Sequence, residues 1–121
     1  MSQLLDDEKP IFQQIRETIE DAILDSTLLP EDKIPSINDF AKQFQINPAT
    51  ANKGVNELVE KGVIYKKRGV GMYVSSNAKQ ILVSERKNAF EQSYVTPLIN
   101  EASRLGITLD ELKEMIGRAK T

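Results

Sequence analysis

The sequence contains neither cysteine nor histidine in its 121 residues. Without cysteine there is no disulfide and no thiolate metal site. Without histidine the chain lacks the commonest general base and the commonest metal ligand near neutral pH. Metal hydrolases, Ser-His triads and Cys-His enzymes drop out on those grounds. No nucleophile–base pair or metal cluster stands out, so neither an enzyme nor a cofactor is expected. No apolar run is long enough to cross a bilayer, and no membrane partner is expected. The N-terminus, MSQLLDDEKP, has acidic residues where a secretory signal needs positive charge, which argues for a cytoplasmic protein.

Hydrophobic content of 40% and charged content of 28% suit a soluble globular chain. The length allows one modest domain plus an appendage. A net charge of −2 does not suggest nucleic acid, but the total hides an asymmetry. Residues 1–41 carry ten acids against Lys9, Arg16 and Lys33, a net −7. Residues 42–68 carry Lys42, Lys53, Lys61, Lys66, Lys67 and Arg68 against only Glu57 and Glu60, a net +4. Binding responds to the field at one face, not to the total.

Along the chain, Pro10 is placed to open a first helix over about 10–26, with Phe12, Ile15, Ile19, Ala22 and Ile23 at helical spacing. Ser36 opens a short second helix, with Asp39 three positions on in a capping-box-like spacing and Ile37, Phe40, Ala41 and Phe44 as its buried stripe. Asn47-Pro48 starts a third, whose inward face is Ala51, Val55, Leu58 and Val59 and whose C-terminal cap is Gly62. About two residues separate the second and third helices, the short turn of a helix-turn-helix. Strands at Val63–Lys67 and Val70–Val74, with Gly69 and Gly71 at their turn, make a hairpin with the basic tip Lys66-Lys67-Arg68-Gly69, and a basic hairpin in that place is a wing. Beyond Asn77 the pattern is helical again. Pro97 is expected to kink or split it, Gly106 ends it, and Thr108 with Glu111 opens a last helix bearing Leu109, Leu112, Met115 and Ile116.

The expected fold is mainly α with a small β wing: a winged helix-turn-helix over residues 1–76, followed by a short two-helix dimerisation tail over 77–121. The candidate dimer contacts are Leu82, Ala89, Phe90, Leu98, Ala102, Leu105, Leu112 and Ile116. Two short helices cannot bury such apolar faces alone, which favours a homodimer interface over an intramolecular core.

The segment from Ile34-Pro35-Ser36 to Val74 resembles the DNA-binding domain of the GntR family of bacterial regulators. The resemblance rests on Ile34-Pro35-Ser36, Phe40-Ala41, Asn47-Pro48, Thr50, Leu58, Gly62-Val63-Ile64 and Arg68-Gly69-Val70-Gly71-Met72-Tyr73-Val74. Upstream, Pro10 to Ile15 looks like the family's first helix. Downstream, Glu101 to Leu112 is similar to the tail of the YtrA-type subfamily. The resemblance implies a homodimeric repressor of a double-stranded DNA operator, often acting on an adjacent transporter operon and its own gene. The tail is too short for the effector pocket of larger relatives, so the existence and identity of a small-molecule effector stay open. The family usually has a DNA-contacting arginine where Asn38 stands and long donors near Pro48 and Asn52. Ala51 and Gly54 are smaller than usual, and Glu31 replaces a common glycine. Docking geometry is expected to carry over, and the operator sequence is not.

A helix-turn-helix puts the start of its second helix into the major groove. Here that start is Asn47, Pro48, Ala49, Thr50, Asn52 and Lys53. Thr50 and Asn52 can reach base edges, and Ala49 can touch a thymine methyl. The Ser36 region can offer backbone N–H groups to phosphate, with Asn38 nearby, while Lys42, Lys53 and Lys67 read as phosphate contacts. Arg68 beside Gly69 is the candidate for minor-groove entry. Each has a plainer reading: Asn47-Pro48 is first a cap, Thr50, Asn52 and Lys53 lie on a face any helix exposes, and Tyr65 and Tyr73 pack the wing. With few long donors on the reading helix, shape is expected to outweigh direct readout. A winged helix that binds protein and not DNA is the other class the sequence admits.

Overall fold

The computed structural model describes residues 8–119. The acidic start read against secretion, and Asp6 and Asp7 of the charge count, lie outside them. Helix α1 runs Ile11–Leu24, one residue later than expected, because Pro10 keeps an extended ψ of 139° and caps the helix from outside. Its carbonyl still accepts from the Gln14 N–H. A two-residue strand β1, Lys33–Ile34, leads to α2, Ile37–Phe44, and α3, Pro48–Glu60. Strands β2, Ile64–Lys67, and β3, Gly71–Val74, form the hairpin.

The wing is wider than the sequence suggested. β1 pairs antiparallel with β3, so the sheet has the order β1-β3-β2. A strand of two residues is too short to show the alternation that reveals strands, which is why it escaped the sequence pattern. Lys33 lies opposite Tyr73, and Ile34 opposite Met72. Ile34 and Met72 point inward and are buried.

The core gathers Ile15, Ile19 and Ile23 from α1, Phe40, Ala41 and Phe44 from α2, Ala51, Val55 and Leu58 from α3, and Ile64, Met72 and Val74 from the sheet. Helices α1 and α3 approach so closely at Gly54 that a Cβ there would stand 2.5 Å from the Phe12 carbonyl oxygen. The small residue noted in the sequence is therefore a packing requirement. Across this contact Arg16 reaches Glu57 at 3.0 Å, and Lys61 reaches the buried Glu20 at 3.2 Å.

Helix α4, Ala78–Phe90, continues through a π-helical turn, Glu91–Val95, into α5, Thr96–Arg104. The chain divides into two compact units, Met1–Ser84 and Glu85–Thr121, with the division inside α4. Ala78 and Leu82, one turn apart on α4, belong to the core of the first unit. Leu82 is fully buried there, so it is not available to a second chain as the sequence reading supposed. The irregularity foreseen at Pro97 takes the form of the wide turn just before it. The Thr96 N–H reaches back five residues to the Glu91 carbonyl. Proline lacks an N–H and crowds the carbonyl four residues back, so the ladder changes register there without breaking.

In the second unit Gly106 ends α5, with the Ile107 N–H donating to the Ala102 carbonyl. Thr108 and Glu111 close the expected capping box at the start of α6, Leu109–Ala119. No helix among the described residues is long and apolar enough to cross a membrane.

Gly54→Ala tests the close approach. Helix propensity alone predicts a gain near 1 kcal/mol, but a backbone carbonyl cannot yield, so overpacking should dominate. The expected result is a net loss of about 1–3 kcal/mol in urea unfolding. Gly117→Ala, whose Cβ meets nothing within 4 Å, should instead gain up to about 1 kcal/mol.

Candidate nucleic-acid interface

Both helices of the helix-turn-helix begin where side-chain caps set them. Ser36 Oγ accepts from the Asp39 N–H at 3.1 Å, and Asn47 Oδ1 accepts from the Ala49 N–H at 2.8 Å. Asn47 is thus a cap in fact, and Pro48 follows it at the first helical position. The turn between the helices needs a left-handed residue, and Gln45 supplies it at φ 55°.

Ala49, Asn52, Lys53 and Asn56 recur at spacings of three and four, on the face of α3 opposite its buried Ala51, Val55 and Leu58. Ala49, Asn52 and Lys53 are exposed, and Thr50 is half-buried. On α2, Asn38 and Lys42 are exposed one turn apart. Lys53 lies against an aromatic ring. Its ammonium sits 4.0 Å from the centre of the Phe12 ring, so a cation–π contact holds it beside the start of α1.

The wing is ordered in a similar way. The Val70 N–H donates to the Lys67 carbonyl, making a β-turn with Gly69 third, at φ 77°. Arg68 and Gly69 are fully at the surface of that turn. Lys67 Nζ lies 5.1 Å from the centre of the Tyr73 ring, and Tyr73 stacks on Tyr65. The Tyr65 hydroxyl donates to the Glu31 carboxylate, and this bond, with some burial and the neighbouring negative charge, pushes its pKa above the ordinary phenol value. Glu31 itself stands at φ 71°, the left-handed region that favours glycine. Lys66 points the other way from Lys67 and donates to Asn56 Oδ1 at 3.3 Å, tying wing to reading helix.

Lys79 on α4 donates to Ser26 Oγ at 3.0 Å, and the cations from Lys9 to Arg68 fall into two sets. Lys9, Arg16 and Lys61 are paired with Glu17, Glu20 and Glu57 on α1 and α3. Lys33, Lys42, Lys53, Lys66, Lys67 and Arg68 have no carboxylate partner among the described residues. Four of these were expected as contacts from the sequence. Lys33 and the Lys66–Asn56 link were not. Lys33 sits 33 residues before Lys66 in an acidic stretch, and only the pairing of β1 with β3 brings it to the wing.

Of the residues assigned to a dimer contact, Ala102 and Leu112 are buried within the second unit itself. They serve its internal packing. Ala89, Phe90, Leu98, Leu105 and Ile116 are exposed.

Two capped helices crossed by a short turn, with a basic three-stranded wing, make this a winged helix-turn-helix protein. Residues 11–74 match the family described as bacterial regulatory proteins, gntR family. The chain is 36% identical to the HTH-type transcriptional repressor YtrA of Bacillus subtilis (strain 168), over 88% of this chain and 82% of that one. A GntR family transcriptional regulator from Listeria monocytogenes shares the fold with a TM-score of 0.74 at 29% identity, covering 94% of this chain and 98% of its own. The DNA-binding domain of AraR, solved in complex with operator ORX1, aligns at 30% identity and a TM-score of 0.54, over 62% of this chain and 92% of that one. The chain belongs to the GntR family, and its near full-length similarity to YtrA puts it with the YtrA-type members.

Each phosphate neutralised by a lysine or arginine contributes about 0.9 to the slope of log affinity against log salt. Lys67→Ala and Arg68→Ala should each flatten that slope by about 1 in equilibrium titrations of a labelled duplex. A slope that stays at the parent value removes the wing from the interface.

Proposed function

We propose that this chain is a cytoplasmic transcription repressor that binds a pseudo-palindromic double-stranded DNA operator as a homodimer. The observation that carries the reading is the segregation of charge: the cations of α2, of the exposed face of α3 and of the wing have no carboxylate partner among the described residues, while Lys9, Arg16 and Lys61 are paired with carboxylates of α1 and α3. Unpaired cations on one set of elements suit a polyanion's backbone. The AraR domain, similar in fold and sequence, was solved on operator DNA, and YtrA is named a repressor.

In this reading Ala49, Thr50 and Asn52 face the major groove and Lys42 and Lys53 its flanking phosphates, while Asn47 and Ser36 orient the helix starts. Arg68 and Gly69 enter the adjacent minor groove. Asn52 offers the paired donor and acceptor that suit adenine. Asn38 is too short for most of what an arginine would reach, so readout here leans on DNA shape.

Residues 1–76 serve as the DNA-binding domain and 77–121 as the dimerisation tail, α4 contributing to the core of the first before it enters the second. Support for the dimer comes from the second unit's surface. Phe90, Tyr94, Leu98, Leu105, Leu109 and Ile116 are all exposed, whereas only Ala102 and Leu112 among the unit's described residues are buried. So small a helical unit with so much uncovered apolar surface suits a twofold partner, and twofold symmetry matches a palindromic site.

Selection of bound genomic fragments at physiological salt should return a recurrent site with twofold symmetry. Failure to retain any duplex even at low salt would reject DNA binding altogether. Asn52→Ala should cost about 1–3 kcal/mol on the preferred site and little on random duplex. Equal weakening on both would make Asn52 a backbone contact. The double variant Leu105→Asp, Ile116→Asp alters only exposed positions and should sediment as a monomer, whereas persistence of the dimer moves the interface elsewhere.

A further inference from the structure

We infer that Lys33, on the edge strand of the wing, is a further DNA-phosphate contact on the same face as Lys67. The inference rests on the DNA-binding reading above. The register of the sheet sets it up. Residues directly opposite in an antiparallel pair share a face, and faces alternate along each strand. Lys33 opposite Tyr73, Tyr65 opposite Tyr73, and Lys67 opposite Gly71 therefore all lie on the outer face. Ile34, Ile64, Met72 and Val74 occupy the inner one and are buried.

On that outer face the Lys33 stem crosses Gly71. A Cβ on Gly71 would stand 2.8 Å from Lys33 Cε, and Gly71 is held at φ 144°, a conformation open to glycine. The missing side chain thus leaves a track along which Lys33 extends toward the tip. Lys67, opposite Gly71, lies over Tyr73 from the other strand. Two ammonium groups so flank one bare stretch of backbone.

No carboxylate among the described residues forms an ion pair with Lys33. The Glu31 carboxylate takes the Tyr65 hydroxyl, and Asp32 Oδ2 accepts from the Leu29 N–H at 2.8 Å. Beside Lys33 an open groove of about 580 Å³ runs between Gly71 and Val70 of the wing and Ser36 at the start of α2. Asp39 lines it too, at the α2 end. A phosphate seated at the wing end would meet the Lys33 ammonium away from Asp39. Such a contact adds affinity without reading sequence.

The test is the salt dependence of duplex binding by the full chain and its Lys33→Ala and Lys33→Arg variants, on the selected operator and on a random duplex. Lys33→Ala should flatten the slope by about 0.9 on both, which between 50 and 200 mM salt amounts to about a 3.5-fold smaller loss of affinity. Lys33→Arg should restore the parent slope. Thermal unfolding should be the same for all three proteins, since Lys33 is exposed. If Lys33→Ala keeps the parent slope on both duplexes, Lys33 is a solvated edge residue and the inference is overturned. If the parent chain shows no salt-dependent duplex binding, the DNA-binding reading fails first, and Lys33 with it.

Discussion

The close approach of α1 and α3 at Gly54 is the constraint on which the rest of the first unit depends. A carbonyl oxygen of α1 sits where any other residue of α3 would place a Cβ. That contact lets Ile15 and Ile19 meet Ala51, Val55 and Leu58 in one core. It also lets Lys53 lie on the Phe12 ring and Arg16 reach Glu57. Pushing the helices apart would loosen the core and move the cation that flanks the reading face. Packing and function therefore share one geometric requirement here, and it falls on a residue with no side chain.

A second theme is how an acidic chain keeps a cationic surface. Carboxylates are abundant, but they are engaged locally. Glu17, Glu20 and Glu57 neutralise Lys9, Arg16 and Lys61, while Glu31 and Asp32 take a hydroxyl and a backbone N–H. Burial of the Glu17 carboxyl works to raise its pKa, but hydrogen bonds from Gln13 and Lys9 and the charges of Lys9 and Arg16 together lower it. Aromatic faces, not acids, steady the outward lysines at positions 53 and 67. A ring orders an ammonium without cancelling its charge, which leaves it able to meet a phosphate.

Much of the fold was legible because it is written in local signals. Ser36, Asn47-Pro48 and Thr108–Glu111 are caps whose hydrogen bonds span two or three residues, and each stands where the spacing put it. The buried stripes of α1, α2 and α3 follow the 3.6-residue period, and Gly69 and Gly71 marked the hairpin turn. The errors are of another kind. β1 is too short to carry a period, Lys33 sits far from the wing in sequence, and Leu82 shares an apolar stripe with residues that remain exposed. The face a helix residue presents is periodic, but what covers that face is not encoded in the period.

The helix-turn-helix and its hairpin, their caps and the basic hairpin tip were determined by the amino-acid sequence alone, since each depends on residues a few positions apart. Only the tertiary structure decided that β1 completes the wing, that Gly54 must be small, that Leu82 closes the first core, and which cations go unpaired. The decisive contacts among them, Lys33 with Tyr73, Gly54 with Phe12, and Arg16 with Glu57, join groups about 40 residues apart, and their distances follow from the packed core as a whole, not from any local run of sequence.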